Sequence, residues 1–484
     1  MEYQAQIVAV MIVYLAFLII WGIYQGSKVK TGSDYSIAAR KLPGWAAALS
    51  ERATGESSWA LLGLPGFAYA SGLTGLWTAV GCLAGIITAW CGIAWRLRDE
   101  AEHFQVNTFT DYIAKKHPEM NTWIRIMGSS VLVFIFFFYV GAQFLGGGKT
   151  LHTMFNLDPR LGMVITALII IPYTVYGGFR SVVYTDVVQA LVMIAALVIG
   201  PVVGLITIAH SPDIFAQSIP QALVKAGPAP SSLTGAVSGF AAGAVIVGGF
   251  SWFFGYLGGM PQLSMRFMAI RDITQAKKAR NIGIIWTVFA YAGALSLGWI
   301  GLALFGPGGL EDQEYVMPLV MLRIFPPVIA AILITGAIAA RISTADSLLI
   351  LSSTELSENL LRKNKSDRTG SGKLTYSRII TAALAVIALG FAYFSSRNLI
   401  YDLVGYVWAG VGSTFSIVIL FSLFWKKYHG RAVLVTIITG IVFWIVWITT
   451  GMEEVITSRL MTFVVAGIAG ILGTWLLPAK AIGK

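Results

Sequence analysis

The chain is 484 residues long, 56% of its residues are hydrophobic, 12% are charged, and its mean hydropathy is +0.75. Because soluble globular proteins carry about 25% charged residues, this composition excludes an ordinary soluble domain and predicts an integral membrane protein. The formal net charge of +11 lies mainly in connections between apolar segments, so it indicates membrane topology rather than nucleic-acid binding.

Apolar segments follow one another along the whole chain and predict an all-α membrane protein of about thirteen transmembrane helices. They lie near residues 5–25, 43–71, 75–97, 124–152, 160–178, 184–209, 234–258, 281–304, 323–355, 374–396, 399–425, 431–450 and 456–477. No basic residue precedes the first segment, which is typical of a retained anchor rather than a cleaved signal. The longest polar connections, 98–123 and 356–373, are too short to fold alone, so one transmembrane domain is expected over residues 1–484.

Lysine and arginine gather in every second connection between these segments. The basic connections lie near 28–41, 96–125, 266–280, 362–378 and 426–431. The alternate connections are poor in basic residues, and some are acidic, as at Glu311 and Glu453. Because cytoplasmic loops carry the excess of positive charge, the pattern predicts a multi-pass protein of the cell inner (cytoplasmic) membrane. Its N-terminus is then outside and its C-terminus cytoplasmic.

The second apolar segment is interrupted, since residues 50–74 combine three charged side chains with four residues that disturb helices. These are Glu51, Arg52 and Glu56, and Gly55, Gly63, Pro65 and Gly66. A charge in hydrocarbon costs about 2.5–3.5 kcal/mol, and backbone freed by Pro or Gly needs a cavity or a protein wall. We interpret the segment as a discontinuous helix that holds a solute or an ion at mid-membrane. A proline-kinked helix with its charges at the water interface is the alternative.

A second interruption lies in the seventh segment, where residues 248–262 place Trp252, Tyr256 and Pro261 between glycines. It comes five segments after the first, and paired broken helices in two halves are typical of inverted-repeat transporters. We expect an extra N-terminal span and loop over 1–42 and a first five-helix repeat over 43–209. A second five-helix repeat is expected over 234–425, followed by C-terminal spans over 431–484. For this stretch alone, a glycine-rich packing helix is the alternative.

The ninth segment places hydroxyls and a carboxylate on an otherwise apolar helix, at Ser343, Thr344 and Asp346. Hard cations take oxygen ligands, which hydroxyls and the main-chain carbonyls of a broken helix provide. Hydrogen bonds that join helices are the alternative use of the two hydroxyls. Asp186 lies nearer a cytoplasmic end, where it is either a functional carboxylate or only the N-terminal cap of the sixth segment.

Two short strings, 146–150 and 370–373, resemble phosphate-binding loops but lack the first glycine of that motif, because Gln143 and Asp367 stand there. Neither string follows a strand, which the motif requires. We therefore expect no ATPase and no enzyme, and no organic cofactor.

Several different short motifs are distributed along nearly the whole chain. They comprise Ala53, Ser57, Trp59, 62–66, Ser71, Gly72, Gly177, Gly178, Thr185, Asp186, Gln189, Trp252, Gly255, Tyr256, 266–268, Ala339, Ala340, Ser343, Thr344, Tyr406 and 408–410. Together these residues are specific, and through them the chain resembles the solute:sodium symporter family, within it the proline carriers. The resemblance implies thirteen spans, of which the second to the eleventh form two inverted repeats of five helices, as in the leucine transporter.

The resemblance also implies two sites. A sodium ion is expected at main-chain oxygens near Ala53, Glu56 and Ala340 and at the hydroxyls of Ser343 and Thr344. The solute is expected among Ser57, Trp59, Gly63, Pro65, Tyr139, Trp252 and Tyr256, and aromatic walls around a few polar groups suit a small zwitterion.

The implied function is secondary active import of a small amino-acid-like solute with sodium by alternating access. Proline is the first choice, and other small zwitterions or carboxylates follow. The expected partners are that solute and the lipid bilayer, with no nucleic acid and no obligatory protein partner.

Two charges depart from the pattern of the proline carriers. Those carriers have an aspartate where this chain has Gly55, an uncharged residue at Glu56 and an apolar residue at Arg341. Neighbouring helix positions differ by about 100°, so Glu56 does not simply replace the aspartate. A buried pair of Glu56 with Arg341 is less costly than either charge alone, and a guanidinium beside the ion site is able to stand in for sodium.

Two other functions therefore stay open. One is a proton-coupled or ion-independent carrier in which Arg341 replaces the sodium ion and Glu56 or Asp346 titrates, with Asp186 as a further candidate for coupling or gating. The other is a transport-like sensor that binds its solute without net flux.

Overall fold

The computed structural model describes residues 2–155, 157–361, 370–394 and 400–478. Within these ranges the chain is helical, and its one β-type pairing is an isolated bridge between Leu42 and Ile270. Ten helical stretches in the same ranges are long and apolar enough to cross a membrane. The prediction of an all-α membrane protein is confirmed.

The helices up to residue 210 alternate between long spans and short connecting elements. They are α1 (Glu2–Gly26), α2 (Gly32–Ile37), α3 (Gly44–Ser58), α4 (Leu64–Ser71), α5 (Gly75–Thr88), α6 (Ala94–His103), α7 (Phe109–Lys116), α8 (Asn121–Phe155) and α9 (Pro159–His210). Short 3-10 or π-helical turns lie between some of them, at Ala38–Arg40, Trp59–Gly63, Gly72–Thr74, Ala89–Ile93 and Pro118–Met120.

The helices after residue 210 continue the same pattern. They are α10 (Ile219–Ala226), α11 (Gly239–Phe250), α12 (Trp252–Gly255), α13 (Pro261–Ala269), α14 (Ile273–Phe305), α15 (Val316–Ile324), α16 (Pro327–Glu355), α17 (Gly370–Phe394), α18 (Ile400–Val407), α19 (Thr414–Phe424), α20 (Gly430–Thr449) and α21 (Ser458–Leu476). Further short turns lie at Gln313–Tyr315, Leu356–Leu360, Trp408–Ser413 and Met452–Glu454.

Two of the ten membrane-length stretches hold two predicted segments each. Gly44–His103 covers the second and third segments, and Pro159–His210 covers the fifth and sixth. Gly72 and Gly178 interrupt these stretches with φ values of 62° and 57°, a left-handed conformation that glycine adopts without strain. The count of thirteen spans, the repeat boundaries and the orientation stay predictions. The basic residues at 362–369, 480 and 484, on which part of the predicted topology depends, lie outside the described residues.

Burial separates a central group of helices from a peripheral group. In the apolar window of Pro327–Leu360, 83% of the residues are buried, against 22% in that of Ser458–Leu476. Large apolar side chains on the peripheral helices are exposed, among them Val442 and Leu472. Lipid accepts such side chains, whereas an apolar surface of this extent is rare on soluble monomers. The interior therefore lies around α3, α14 and α16.

Both predicted interruptions are present, and they are where the interior departs from regular helix. At the end of α3, Ser57 leaves the helical region with φ 45° and ψ −161°, and a π-helical turn follows before α4. Between α12 and α13, residues 256–260 are not helical, and Gly258 has a φ of 85°.

The residue that breaks the first helix differs from those that the sequence indicated. Pro65 lies at the start of α4, where its missing N–H group is not needed. Gly66 serves close packing, because a Cβ atom there would lie 2.8 Å from the carbonyl oxygen of Gln313. The break falls instead at Ser57, whose positive φ is uncommon for a residue other than glycine.

Candidate functional site

A buried group of polar side chains joins α3 to α9, α13 and α16, and we call it the polar junction. It consists of Ser50, Thr54, Asp186, Arg266, Ser343, Thr344 and Ser347, each at most 2% exposed. Buried polar groups are unfavourable unless they are hydrogen-bonded, and ionisable residues within membrane spans mark functional sites by default. The hydrogen bonds of this group therefore indicate what it does.

Ser343 and Thr344 of α16 face the last turns of α3. Ser343 Oγ lies 3.0 Å from the carbonyl oxygen of Ala53 and 3.1 Å from that of Ala340. Thr344 Oγ1 lies 3.1 Å from the carbonyl oxygens of both Thr54 and Ala340. Two hydroxyls and three carbonyls therefore form one compact group of oxygen atoms. All five can bind a cation, because the hydroxyl oxygens keep acceptor lone pairs. The structure thus brings together four of the five residues predicted at the sodium site.

Glu56, the fifth of those residues, belongs to a separate cluster. Its carbonyl oxygen accepts from the N–H of Trp59, and its Oε1 accepts from Arg52 Nη1 at 3.1 Å. Arg52 also pairs with Glu51, whose Oε2 accepts from Trp90 Nε1 at 3.1 Å. All three charges are buried, so they form an internal ion-pair cluster beside the interruption.

Arg341 is buried as well, but in another place. Its guanidinium borders a small cavity that Lys149 and Glu314 also line. Arg341 Nε and Nη1 donate no hydrogen bond to any described residue. The pair of Glu56 with Arg341 that the sequence suggested is therefore not formed, because Arg52, one turn away on the same helix, binds Glu56.

Asp186 and Arg266 connect the polar junction across three helices. Arg266 Nη2 lies 3.0 Å from Asp186 Oδ2, which also accepts from Ser50 Oγ at 2.6 Å. Arg266 Nε donates to Ser50 Oγ at 3.0 Å, and its Nη1 donates to the Gln262 carbonyl oxygen at 2.7 Å. Asp186 lies inside α9 and binds side chains of other helices, so its interpretation as a mere helix cap is wrong.

Asp346 is linked to the same junction through Ser347. Asp346 Oδ2 accepts from the hydroxyl of Tyr173 at 2.6 Å, and Ser347 Oγ lies 3.4 Å from Asp346 Oδ1. Arg266 Nη2 donates to Ser347 Oγ in turn. Of the predicted coupling residues, Asp186 and Asp346 thus share one network, whereas Glu56 and Arg341 lie in two other places.

Aromatic rings fill the space between the two interrupted helices, and we call them the aromatic stack. The stack consists of Trp59, Trp252, Tyr256, Tyr291 and Trp408. The centroids of Trp59 and Trp252 are 4.8 Å apart with ring planes within 13° of each other. Trp408 lies 5.7 Å from Trp252 and 4.3 Å from Tyr256. Such rings provide large apolar area for a small ligand.

The other residues predicted to line the solute site divide into two groups. The hydroxyl of Tyr139 lies near Ser57 and Trp408, beside the stack. Gly63 ends the π-helical turn, and the Pro65 carbonyl faces α14 rather than the rings. The structure brings together Ser57, Trp59, Tyr139, Trp252 and Tyr256.

Three residues of the polar junction and the aromatic stack were not among the predicted site residues. Arg266 and Trp408 are among the residues that carry the family resemblance, which is the signal that points to them. Tyr291 lies in an apolar helix without a motif, and its hydroxyl is 3.0 Å from that of Tyr256. Only the fold shows that these side chains meet.

Comparison with known sequences gives matches over nearly the whole chain. The sequence description of the Sodium:solute symporter family matches residues 35–440. The osmoregulated proline transporter OpuE of Bacillus subtilis is 31% identical over 98% of this chain and 96% of its own length. Sodium/proline symporter 2 of Staphylococcus saprophyticus is 31% identical over 94% and 90%. The high-affinity proline transporter PutP of Bacillus subtilis is 30% identical over 92% and 93%.

Two solved structures are similar to this one. A Na+-coupled sialic acid symporter in a substrate-bound outward-open state has a TM-score of 0.80 at 19% identity, over 98% of both chains. A nucleobase-cation-symport-1 family transporter in a closed conformation has a TM-score of 0.58 at 13% identity, over 94% of this chain and 97% of its own. At these identities the likeness concerns the fold alone, and the predicted leucine-transporter-like fold is confirmed.

Proposed function

Because the chain belongs to the sodium:solute symporter family, we propose that it imports a small amino-acid-like solute, proline as first choice, together with sodium. Family membership makes it a multi-pass membrane transporter of small solutes and not an enzyme. The solute and its coupling ion are the parts that we propose.

The main support for the proposal is the group of oxygen atoms between α3 and α16, which we call the ion group. It comprises the hydroxyls of Ser343 and Thr344 and the carbonyls of Ala53, Thr54 and Ala340. Ser343 Oγ and Thr344 Oγ1 each lie about as far from two main-chain carbonyl oxygens as a hydrogen bond allows. When a hard monovalent cation enters this group, the hydrogen bonds between the hydroxyls and the carbonyls break, and the same oxygen atoms become ligands of the cation. Half-helix C-terminal ends and unwound carbonyls hold sodium in the same way in other secondary transporters.

The aromatic stack supports a small, partly apolar solute. Its five rings lie beside the same interruption, and Trp59 belongs to the first broken helix while Trp252 and Tyr256 belong to the second. Proline has an apolar ring with a cationic nitrogen, and aromatic faces attract both. The three relatives described above are proline transporters by name, which favours proline over other zwitterions.

Coupling follows if ion and solute stabilise the same conformation. The ion group holds α3 to α16, and the rings hold the two broken helices to each other. A ligand shifts a conformational equilibrium only by its difference in affinity for the two states, so joint binding on one side couples the two gradients. In the predicted orientation, both enter from the outside.

A proton-coupled carrier is the second candidate, because the carboxylates of Asp346 and Glu56 are buried in the interior. Asp346 is hydrogen-bonded to Tyr173, and Glu56 lies in the ion-pair cluster with Arg52. Replacement of sodium by the Arg341 guanidinium, in contrast, is opposed by its place beside Glu314 rather than at the hydroxyl pair.

Uptake by purified protein in proteoliposomes tests the proposal. We expect proline to accumulate when an inward sodium gradient is imposed, and not with a proton gradient alone. Uptake that follows the proton gradient without sodium favours the second candidate. Proline binding in calorimetry without flux under either gradient indicates a sensor.

The proposed orientation has its own test. Single cysteines at positions 311 and 365 are expected to react with a membrane-impermeant thiol reagent from opposite sides of intact cells, position 311 from outside, because of the alternating basic loops. The parent for both is a variant without Cys82 and Cys91. Reaction of both positions from the same side contradicts the predicted topology.

A further inference from the structure

A cavity of about 550 Å³ is lined by Arg459, whose guanidinium contacts the Trp252 ring of the aromatic stack. Its walls come from α4, α5 and α11, with Phe67, Ser71, Thr78 and Gly248 among them. This volume falls in the range of small-ligand sites, about 300–1,000 Å³. The connections that border it, near residues 72–74 and 229–235, are predicted to be on the outer side. A solute that approaches the stack from outside therefore has space to stop here.

Arg459 is the one ionisable residue among the described residues that line this cavity. It comes from the start of α21, outside the two predicted repeats, and reaches the second interrupted helix. Its Nε donates to Ser251 Oγ at 3.0 Å, and its Nη2 donates to the Gly248 carbonyl oxygen at 3.2 Å. Its guanidinium carbon lies 4.7 Å from the centroid of the Trp252 ring. The guanidinium is thus fixed at the boundary between the cavity and the stack.

Within the described residues, no carboxylate forms an ion pair with the Arg459 guanidinium. The nearby Glu453 carboxylate accepts from the backbone N–H of Ser458 at 2.7 Å. Arg459 Nη1 donates no hydrogen bond to a described residue and lies against Gly405 of α18, where an added Cβ would be 2.9 Å from it. A neutral side chain suffices for the two hydrogen bonds that Arg459 does make. The charge, which no ion pair neutralises, therefore points to a ligand with negative charge.

We infer that the cavity is an outer binding site for the carboxylate of the transported solute and that Arg459 is its anion-binding residue. The inference rests on the proposed function, since it concerns the route of the amino-acid-like solute. A guanidinium binds a carboxylate through short, charge-assisted hydrogen bonds. Walls of low polarity around a single cation strengthen its attraction for an anion.

The contact with Trp252 connects this outer site to the aromatic stack. The Trp252 ring is shared, because one of its neighbours is the Arg459 guanidinium and another is the Trp59 ring at 4.8 Å. A carboxylate on Arg459 holds a small solute in the cavity, with the Arg459 guanidinium between it and the buried Trp252 ring. Arg459 then selects solutes with a carboxylate before the rings select them by shape.

Sodium-driven uptake in proteoliposomes tests the inference, with L-proline as substrate and prolinamide, which lacks the carboxylate, as competitor. In Arg459→Gln we expect the KM for proline to rise about tenfold, which corresponds to the loss of one charge-assisted hydrogen bond. The preference for proline over prolinamide should fall by a similar factor, whereas kcat and the sodium concentration for half-maximal uptake should stay close to wild type. Arg459→Lys, which keeps the charge, should restore part of the preference.

The matched control is Arg160→Gln, because the Arg160 guanidinium also stacks on an aromatic ring, 5.1 Å from that of Tyr393, but away from the cavity. It should leave the KM and the preference unchanged. If Arg459→Gln does not fold, Ala70→Trp, which fills the cavity without changing the contacts of Arg459, should raise the KM for proline. An unchanged KM and preference in Arg459→Gln, or in Ala70→Trp an unchanged KM, overturns the inference alone. Absence of proline uptake by the wild type overturns the proposed function and the inference with it.

Discussion

The polar junction and the aromatic stack share the same two interrupted helices, but different forces hold them together. In the junction, an ion pair and individual hydrogen bonds fix single atoms, and each buried polar group depends on its own partner. In the stack, stacked and tilted aromatic rings bury large apolar surfaces against one another, and the contact depends less on any single atom. On the proposed function, we therefore expect stability and ion affinity to depend on single atoms of the junction, and solute affinity to depend on the shape of the rings.

The largest effect is expected when the ion pair of the polar junction is broken. Arg266→Met leaves the Asp186 carboxylate buried without its partner, which costs about 3–5 kcal/mol of folding free energy. Thermal unfolding of the purified protein in detergent measures this loss. The double variant Asp186→Asn, Arg266→Met should recover much of the stability, because no unpaired charge remains.

The control is the same substitution in a surface ion pair. Arg271 lies 3.1 Å from Asp272, and their side chains are 62% and 42% exposed. Arg271→Met should change the free energy of unfolding by about 1 kcal/mol or less. Equal losses from Arg266→Met and Arg271→Met contradict the structural role of the junction.

The aromatic stack should respond in solute affinity rather than in stability. Trp252→Ala removes the ring that contacts Trp59 and Trp408 and should weaken proline binding about tenfold or more. Calorimetry at saturating sodium measures the change. Trp475→Ala, the same truncation at a 76% exposed tryptophan of the peripheral helix α21, should leave proline affinity unchanged. If Trp252→Ala binds proline like the wild type, Trp252 is a packing residue and the solute site lies elsewhere.

A smaller effect is expected from a single hydroxyl of the ion group. Ser343→Ala removes the oxygen between the Ala53 and Ala340 carbonyls and should raise the sodium concentration for half-maximal uptake about fivefold. Ser353→Ala is the control, since Ser353 is buried on the same helix and, among the described residues, its hydroxyl bonds only the Ile350 carbonyl, at 3.0 Å. If both variants need the same sodium concentration as the wild type, Ser343 only joins helices.

Whether a feature of the polar junction or the aromatic stack can be predicted from the sequence depends on how far apart its residues lie along the chain. Both interruptions were predictable, because charges, glycines and prolines within apolar segments are local signals. The hydroxyl pair at Ser343 and Thr344 was predictable for the same reason. Arg266 is 216 residues from Ser50 and 80 from Asp186, so only the packing of the helices brings them together.

The orientation of a side chain around its helix was the other limit. Arg341 precedes Ser343 by two residues, and the sequence therefore suggested that it lies beside the ion site. Successive residues of a helix point about 100° apart, so two residues are enough to direct it elsewhere. The structure places it at a cavity with Glu314.

Arg341 is expected to be independent of the proposed ion site and coupled to Glu314 instead. Glu56→Gln and Arg341→Met are combined in a double-mutant cycle on thermal stability in detergent. Because Glu56 is bound by Arg52 and Arg341 borders another cavity, the two losses should add to within about 0.5 kcal/mol. A second cycle pairs Arg341→Met with Glu314→Gln and should show a coupling energy of about 1 kcal/mol or more, because these two charges line the same cavity.

The two cycles share the variant Arg341→Met, so each serves as the control for the other. A coupling between Glu56 and Arg341 that exceeds the one between Glu314 and Arg341 contradicts the arrangement described here and restores the pair suggested by the sequence. Sodium-dependent uptake of the same variants adds a functional readout. If Arg341 is only a partner of Glu314, Arg341→Met should leave the sodium concentration for half-maximal uptake unchanged. A protein that becomes dependent on sodium only after Arg341→Met would instead use the guanidinium in place of the ion.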